Sequence, residues 1–546
     1  MSAPTPEPLY YLHNFRRALR WVMERSGDLL TKDEINQCQG FWGLPEASQA
    51  LLVRLISRKG IHFRLSKLNY PELGDLHKPI EVLCQRGWLS QEAVLDVAEI
   101  TDILLKAEIA SHLPKTGLHA SAKKADVVEA LIQKNLTPRL FNQWCTGLND
   151  TVVSVTASAW ADLIRLLFFG NLAQQWSEFV LADLGIYRYE NVAFTQQSRG
   201  FQSRQDVDDY LYLRTLREDF YQEKLIPELL PKLLGFDSAN QYLKKRQSRL
   251  LFSIAQSLEK AGNTTDALPL YEQSHVGEAR WRQIRILEQQ GQWLMAYQKA
   301  EHYALEPVND EERQRLTRAL TRLAKKLGKA APAKPKAIPE SAFSLTLPYT
   351  RSVELAVREH LARENAPVYY VENALFTSLF GLLCWDAIFA PVPGAFFHPF
   401  HTGPVDLYAE DFFEKRQSYF AECLNRLDST AYIDIIKQRF ADKFGIQSPF
   451  VFWGLLDEPL LDMALSCIAP KPLKAIFLRL LQDLKANRTG MPDLIQFYPH
   501  TQSFRLIEVK GPGDRLQDNQ KRWLAFAAEN GIHVDVCYVS WSNDDL

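Results

Sequence analysis

The sequence predicts a multidomain protein with mainly α-helical N-terminal regions followed by a C-terminal α/β domain. The 546 residues are enough for two to four domains. Apolar residues in the first 325 positions recur mostly at helical spacing, whereas residues 490–510 contain two apolar segments joined by a polar turn, which predicts a β-hairpin. An Ala-, Pro- and Lys-rich stretch at 326–340 is expected to be a linker between the two parts.

The composition, 46% hydrophobic and 23% charged, is that of an ordinary globular protein. A formal net charge of −2 argues against an overall basic surface, so contact with a polyanion needs local basic patches. The 7 cysteines show no C-x-x-C pair and no paired Cys/His spacing, which excludes an ordinary zinc finger and fits a reducing compartment. No signal peptide and no membrane span are predicted.

The first 98 residues predict a region of helices around one short strand. Residues 10–58 have apolar residues at helical spacing, and Gly60 interrupts that pattern. Residues 61–65 alternate apolar and polar side chains like a strand, and residues 79–97 return to a helical pattern. We therefore expect a winged-helix-like, DNA-binding fold over residues 1–98.

Three basic residues precede the predicted strand. Arg54 and Arg58 are four apart and share a helix face, and Lys59 follows them directly. Basic residues of this kind most often form a solvated face. Their clustering nevertheless makes Arg54, Arg58 and Lys59 candidates for contact with nucleic-acid phosphates.

Residues 99–140 predict two short helices separated by a turn. Ser121 is a plausible N-cap for the second helix, and Lys123 and Lys124 lie at its start. This arrangement resembles a SAP module, a small DNA-binding helical motif, in which a helix N-terminus and two lysines can hold a phosphate. A purely structural helical hairpin would have the same pattern.

Residues 141–325 predict an aromatic-rich helical scaffold with a faint internal repeat. The run from Leu258 to Gly262 recurs as Leu287 to Gly291, which favours TPR-like helix pairs joined at glycine turns. The aromatic side chains are expected to be mostly core. Arg280 is a candidate DNA contact within this scaffold.

The C-terminal hairpin carries the residues with the clearest chemistry. Asp493 opens its first strand, and Glu508 and Lys510 lie two apart in its second strand, on one face. Their carboxylates suit a hard cation such as Mg²⁺ or Mn²⁺, and the lysine can offset charge on a phosphate. The spacing resembles the PD-(D/E)XK nuclease signature, although a salt bridge on an edge hairpin would look the same.

Longer strings around these residues are more specific. The runs from Arg488 to Leu494 and from Glu508 to Leu516, with Gln520 after them, resemble the VRR-NUC domain, a PD-(D/E)XK nuclease module. We expect this domain to occupy residues 341–546. The resemblance implies catalytic roles for Asp493, Glu508 and Lys510, with Arg488 and Gln520 as possible supporting residues.

A third carboxylate is expected from Glu372, which precedes an apolar helix. An unpaired carboxylate at the mouth of a buried helix is unfavourable, so it needs a cation or several donors. An acid favoured by the helix dipole is the plainer alternative. In PD-(D/E)XK enzymes an early acid completes the metal site, so one or two ions are expected on Glu372, Asp493, Glu508 and the backbone carbonyl of Val509.

Together these regions resemble the Fanconi-associated nuclease family, of which the chain is identified as a bacterial-type member. Residues 53–59, 379–386 and 404–407 add to the resemblance. It implies a structure-selective, Mg²⁺- or Mn²⁺-dependent DNA nuclease with 5′-flap endonuclease and 5′-3′ exonuclease activity in interstrand cross-link repair. Its expected partners are 5′ flaps and branched or cross-linked DNA. Ubiquitin binding is not expected, because the zinc finger of larger relatives has no counterpart here.

Two alternatives stay open. Small stand-alone VRR-NUC proteins resemble four-way-junction resolvases that act as dimers, but the helical regions before residue 341 argue against symmetric pairing. A non-catalytic repair adaptor is the other alternative, and the intact Asp493, Glu508 and Lys510 argue against it. A cytoplasmic, nucleoid-associated location is expected for a bacterial protein, and a nuclear one for a eukaryotic protein.

Overall fold

The structure is a computed structural model that describes residues 8–119, 121–176, 187–222, 226–330 and 341–542. The chain forms two compact units, Met1–Tyr187 and Arg188–Leu546. Across the described ranges, no helix is both long enough and apolar enough to cross a membrane. Most of the predicted linker, residues 331–340, lies outside the described residues.

The first unit is mainly helical. Its helices are α1 (Tyr10–Ser26), α2 (Lys32–Trp42), α3 (Glu46–Ile56), α4 (His77–Gln85), α5 (Val97–Ile103), α6 (Lys106–His112), α7 (Lys124–Ile132), α8 (Phe141–Trp144) and α9 (Ser158–Phe169). Helix α1 buries Leu12, Phe15, Leu19 and Val22, whose spacing of three or four residues places them on one face. Helix α3 packs against both α1 and α4 within the predicted winged-helix-like region, and α9, which lies outside its predicted bounds, packs against α1.

A small antiparallel sheet completes that region. Its strand order is β1 (His62–Arg64), β5 (Val152–Val155), β2 (Leu89–Ser90). The helical prediction for residues 89–97 is wrong over most of its length, because Leu89 pairs with Val155 and Val94 pairs with Leu140. These partners are distant in sequence, so no local pattern shows them. The sheet joins residues on both sides of the predicted boundary at residue 98.

The predicted SAP-like segment lies between two short paired strands, β3 (Val94–Leu95) and β4 (Arg139–Leu140). Helices α5 to α8 pack around a separate core that includes Ile100, Leu131 and Trp144. The indole nitrogen of Trp144 donates to the Leu95 carbonyl at 2.9 Å. This segment therefore has a hydrophobic core of its own within the first unit.

The second unit begins with a helical scaffold. Its helices are α10 (Arg204–Tyr221), α11 (Ile226–Leu234), α12 (Gln241–Lys260), α13 (Thr264–Gln273), α14 (Gly277–Gln289), α15 (Trp293–Leu305) and α16 (Asp310–Leu327). Each helix from α12 onward packs against the next. The two glycines of the sequence repeat, Gly262 and Gly291, close turns at φ values of 83° and 73°, where other residues are strained.

A five-stranded mixed sheet organises the rest of the unit, in the order β6 (Ser341–Leu347), β10 (Val534–Trp541), β9 (Ser503–Lys510), β8 (Leu494–Tyr498), β7 (Val368–Tyr370). Strands β6, β10 and β9 are parallel, whereas β8 is antiparallel to both β9 and β7. Around it lie α17 (Val353–Leu361), α18 (Leu375–Leu383), α19 (Trp385–Ile388), α20 (Gln417–Asn425), α21 (Ala431–Lys443), α22 (Glu458–Cys467), α23 (Pro470–Gln482), α24 (Leu484–Asn487) and α25 (Asp518–Glu529). The predicted α/β class is confirmed.

The two faces of the sheet pack into different cores. On β9, Ile507 and Val509 join a core with Val357 of α17, as expected from their alternation. Leu506 belongs to the larger core on the other face, which includes Trp523 of α25. Glu508 and Lys510 point to that second face and lie near the end of the strand, where the candidate site is formed.

Candidate active site

The predicted hairpin brings the three main residues together. Strands β8 and β9 pair with Leu494 opposite Ile507, so Asp493, directly before β8, lies beside Glu508. The Lys510 ammonium nitrogen is 2.8 Å from Glu508 Oε1. The carboxylates and the lysine predicted from spacing alone therefore form one cluster.

Backbone contacts hold Asp493 in place. The Val509 amide donates to Asp493 Oδ2 at 2.8 Å, and the Asp493 carbonyl accepts the Val371 amide at 2.9 Å. The preceding turn needs Gly490, because φ is +82° and a Cβ there would lie 2.7 Å from the Asn519 side chain. Asp493 is thus tied to β9, to the segment after β7 and, through its turn, to α25.

Of the charged side chains at the site, that of Glu508 is the most buried, with a relative exposure of 1%. Its Oε1 accepts hydrogen bonds from Lys510 and from the Gln520 side-chain amide, the latter at 2.6 Å. Gln520 lies in the first turn of α25 and also caps that helix by accepting from the Gln517 amide at 2.9 Å. The supporting position predicted for Gln520 is thus in direct contact with a main carboxylate.

Burial raises the pKa of both carboxyl groups. It raises the pKa of Glu508 to about 7, and the charge of Asp493 adds to this shift. It raises the pKa of Asp493 to about 6, against the lowering effect of the Val509 amide, with further repulsion from Glu372. Lys510 lowers the pKa of both groups without cancelling their shifts. The site therefore favours an added positive charge.

Glu372 lies in the turn before α18, and its side chain is exposed. It accepts hydrogen bonds from the Tyr370 hydroxyl and, at 3.2 Å, from the Asn373 side chain. The argument from an unpaired carboxylate at a buried helix therefore does not require a cation, because this side chain is exposed and has two hydrogen-bond donors. Its charge still acts on Asp493 and Glu508, so it belongs to the same electrostatic cluster.

Two neighbouring residues were missed by the sequence analysis. Glu354, in the first turn of α17, is near enough for its charge to raise the pKa of Asp493. Tyr370 is partly buried, and burial together with its hydrogen bond to Glu372 raises the pKa of its phenol. Tyr370 is two residues before Glu372, which is the spacing of neighbours on one face of a strand. Only the pairing of β7 with β8 shows that both residues lie at this site.

The carboxylates of Asp493, Glu508 and Glu372 suit a hard divalent cation, because such ions prefer oxygen ligands. In the described ranges, no three or more His, Cys, Asp and Glu side chains already stand as a metal-ligand shell. Lys510 and Gln520 both contact Glu508 Oε1, and the Tyr370 hydroxyl contacts Glu372 Oε2, so these two oxygens already have hydrogen-bond partners.

Arg488 lies just before the Gly490 turn that precedes Asp493, and its side chain contacts residues of the surrounding fold. It donates to the Pro449 carbonyl at 2.5 Å and to the Tyr408 hydroxyl, and it stacks 5.1 Å from the Phe450 ring. These contacts hold the turn before Gly490 against the large core. Its predicted supporting role stays a prediction.

The N-terminal basic residues differ in their surroundings. Arg54 donates to Glu72 at 2.5 and 3.0 Å and lies 3.8 Å over the Tyr11 ring. Arg58 is exposed, with a 3.2 Å hydrogen bond to the Tyr70 hydroxyl, and Lys59 is exposed. Arg54 is thus held by a carboxylate, whereas the exposed Arg58 lies against the side chains of Tyr70 and Phe63 and Lys59 is exposed.

The remaining candidate DNA contacts are also mixed. Lys123 is exposed, whereas the ammonium of Lys124 donates to the Leu104 carbonyl at 2.8 Å. Arg280 donates to the Glu306 carbonyl at 3.0 Å and lies 5.0 Å over the Tyr303 ring. The assignment of all three residues to DNA binding stays a prediction.

Comparison with protein families finds three matches along the chain. Residues 9–90 match the FAN1 HTH domain, residues 94–144 match the Fanconi anemia-associated nuclease SAP domain, and residues 428–541 match the VRR-NUC domain. The VRR-NUC match begins after β6 and β7, which belong to the same sheet as the site. Nucleases of the VRR-NUC type are metal-dependent.

The chain is similar over its full length to curated proteins. It is 47% identical to the Fanconi-associated nuclease 1 homolog of Pseudomonas aeruginosa, over 100% of this chain and 98% of that protein. It is 23% identical to the Fanconi-associated nuclease 1 of Homo sapiens, over 97% of this chain and 62% of that protein. The N-terminal helical regions are therefore shared as well as the nuclease domain.

A solved structure has the same fold. The crystal structure of paFAN1 bound to 2nt 5′flap DNA with gap has a TM-score of 0.88 and 47% sequence identity, and covers 99% of this chain and 100% of that chain. Both the full-length identity and the matched domains agree with the site geometry. The chain therefore belongs to the Fanconi-associated nuclease family and is a DNA nuclease.

Proposed function

We propose that this nuclease selects 5′-flapped DNA and cleaves its phosphodiesters at the cluster of Glu372, Asp493, Glu508 and Lys510. The observation that carries the proposal is the buried pair Asp493 and Glu508 beside the Lys510 ammonium. The similarity to paFAN1, which is bound to flapped DNA in its crystal structure, supports the choice of substrate. Because the chain is a DNA nuclease, the alternative of a non-catalytic adaptor is wrong.

The proposed ligands of one or two Mg²⁺ or Mn²⁺ ions are Asp493, Glu508, Glu372 and the Val509 carbonyl. Such an ion supplies Lewis acidity that lowers the pKa of water and offsets the charge of the scissile phosphate. The hydrogen bonds from Val509 and Gln520 orient the two main carboxylates before any ligand arrives. Preorganised oxygens lose little freedom on binding, which favours tight coordination.

Lys510 is proposed to act on the reacting phosphate. Its side chain is 8% exposed and its ammonium nitrogen lies 2.8 Å from Glu508 Oε1, so it is held against the carboxylate cluster. There it can orient the attacking water and donate to an oxygen that gains charge in the transition state. A fixed donor in a partly dry site stabilises that charge more than a solvated lysine does.

A 5′-3′ exonuclease activity and a part in interstrand cross-link repair are also proposed. They would place this protein on the bacterial chromosome in the cytoplasm. Support comes from the 47% identity to a bacterial Fanconi-associated nuclease homolog over the full chain. That relative shares the N-terminal helical regions with this chain as well as the nuclease domain.

The substrate proposal is tested with four labelled DNAs of equal arm length: a 5′ flap, a 3′ flap, a four-way junction and a plain duplex. Purified full-length protein with Mn²⁺ should cut the 5′ flap fastest, and Asp493→Asn serves as the blank. Equal rates on flap and duplex would overturn flap selectivity. Symmetric cuts in the junction, together with a dimer mass in solution, would instead favour the resolvase alternative.

Arg58 and Lys59 are proposed to contact DNA phosphates, since both side chains are exposed on the first unit. Lys123, Lys124 and Arg280 remain secondary candidates for the same role. Arg54 is proposed to act mainly through Glu72, because its guanidinium is already hydrogen-bonded to that carboxylate. The basic cluster therefore has an outer part for DNA and an inner part for folding.

Replacing Arg58 and Lys59 with alanine should weaken DNA binding uniformly across sequences and reduce the salt slope by about two, one for each lost phosphate contact. Arg54→Ala is the matched control. It should lower the melting temperature and leave the salt slope near that of wild type. Fluorescence anisotropy between low and moderate salt measures both slopes. An unchanged slope in the double variant would show that these residues are only a solvated face.

A further inference from the structure

The helix that bears Gln520 is held from outside the nuclease fold. At its first residue, Asp518, both carboxylate oxygens accept hydrogen bonds from Arg318 of α16, at 2.6 and 2.7 Å. Two parallel bonds of this kind fix orientation as well as distance. The scaffold helix α16 therefore grips the N-terminal turn of α25, where the site carboxylate Glu508 finds its amide partner.

Two further contacts continue along the same line. Gln314 accepts a hydrogen bond from Arg522 at 2.8 Å, and Asp310 accepts one from Arg479 at 3.1 Å. Asp310, Gln314 and Arg318 are each four residues apart, so they form one stripe along α16. That stripe faces α25 and α23, so the contact between α16 and these helices involves three residues of α16 and is not a single isolated pair.

The path from this stripe to the active site is short. Asp518 is two residues before Gln520, within the first turn of α25. The Gln520 side chain bonds both the Gln517 amide, which begins the helix, and Glu508 Oε1 at 2.6 Å. A shift of this turn therefore moves the amide relative to Glu508, since a helix moves as a rigid element.

We propose that Arg318 is a positioning residue for the nuclease site. By holding Asp518 it sets the first turn of α25, and through Gln520 it sets the orientation of the Glu508 carboxylate. The helical scaffold would then help to orient a metal ligand, in addition to its proposed contact with DNA. This inference rests on the proposed role of Glu508 as a metal ligand.

A purely structural role would have a different signature. Arg318 and Asp518 are 54% and 45% exposed, and exposed ion pairs contribute little to global stability. Loss of the pair should therefore leave the protein folded with a nearly unchanged melting temperature. The effect should appear in the affinity for the ion and in turnover, because partners that orient metal ligands change both.

The test uses charge reversal in the full chain: Arg318→Glu, Asp518→Arg and the two together. Calorimetric titration with Mn²⁺ alone should show an affinity about tenfold weaker in each single variant, the lower end of the range for such partners. The double variant, which restores the pair in reverse, should recover most of this loss. Over a series of flap-DNA concentrations, kcat should fall in the single variants while KM for the DNA changes little.

Arg315→Glu is the matched control. Arg315 lies on the same helix, pairs with Glu311 and is 41% exposed, so the charge change is equal but away from the Asp310, Gln314 and Arg318 stripe. It should leave Mn²⁺ affinity unchanged. Gln520→Ala tests the intermediate link and should weaken Mn²⁺ binding at least as much as Arg318→Glu.

The outcomes separate this inference from the proposed function. If Arg318→Glu binds Mn²⁺ and turns over DNA like wild type, or if the double variant does not recover, the positioning role is wrong. If Gln520→Ala has no effect on Mn²⁺ affinity, the path through α25 is wrong. Mn²⁺ binding that persists unchanged in Asp493→Asn would instead overturn the proposed metal site itself.

Discussion

Replacing Asp493 with asparagine and Glu508 with glutamine together is expected to abolish the Mn²⁺ binding signal and to lower flap cleavage by about three orders of magnitude. An ion contributes several kcal/mol of transition-state stabilisation, and each 1.4 kcal/mol is about a factor of ten in rate. The substitutions keep side-chain shape and remove charge. Calorimetry with Mn²⁺ and single-turnover cleavage measure the two effects, and undiminished binding would remove these residues from the ligand set.

The same variant is expected to be more stable than wild type in chelator at neutral and alkaline pH. Burial raises the folded-state pKa of Asp493 to about 6 and that of Glu508 to about 7, above their ordinary 3.8 and 4.5. A raised carboxyl pKa contributes stability below the ordinary value, and this contribution is lost as pH rises through the folded-state value. Wild type should therefore lose stability between about pH 4 and 8 relative to the variant.

Scanning calorimetry across that pH range, with and without Mn²⁺, measures the difference. Added Mn²⁺ should restore wild type and leave the variant unchanged, because a ligand stabilises only the state that binds it. If the melting temperatures of the two proteins change with pH in parallel, the loss of stability does not come from these two carboxyl groups.

Lys510→Met is expected to lower turnover by about two orders of magnitude or more, as loss of one preorganised donor to a developing charge does. Methionine keeps the length and apolar stem of the side chain and removes the ammonium. Mn²⁺ affinity should be nearly retained, because the lysine contacts Glu508 Oε1 and supplies no metal ligand itself. The expected signature is a loss of kcat at nearly constant ion affinity.

Single-turnover rates at saturating DNA and saturating Mn²⁺ measure this effect. Lys485→Met, on the exposed surface of α24, is a control for loss of a lysine and should be near wild type. Near-normal turnover in Lys510→Met would assign the lysine to holding Glu508 instead of acting on the phosphate.

The residues of the hairpin were predictable because their placement depends on local rules. Alternation along one strand puts Glu508 and Lys510 on one face, and a short turn brings Asp493 beside them. Gln520 was found through the resemblance to the VRR-NUC domain, and it lies in the first turn of the helix that follows the second strand. These neighbours lie within one hairpin and one helix, so their spacing along the chain carries most of the geometry.

Glu372 shows where that logic fails. Its position before an apolar helix was correct, but the argument that its carboxylate needs a cation or several donors does not single out the cation, because the turn exposes the side chain and both Tyr370 and Asn373 donate to it. Glu354 was not found at all. Its charge acts on Asp493 from α17, and no spacing in the sequence relates it to Asp493.

By itself, the sequence determined the order of helical regions and nuclease domain, pointed to the family, and predicted Asp493, Glu508 and Lys510 as site residues. The order follows from composition and periodicity, and the family follows from the resemblance of the longer motifs to known sequences. The three site residues follow from strand alternation and a short motif, which act over a few residues. Only the tertiary structure decided that β5 completes the N-terminal sheet, that Arg54 is held by Glu72, and that Arg318 grips α25. Each depends on contacts between distant segments, which form when the chain buries its apolar faces and brings polar partners into reach.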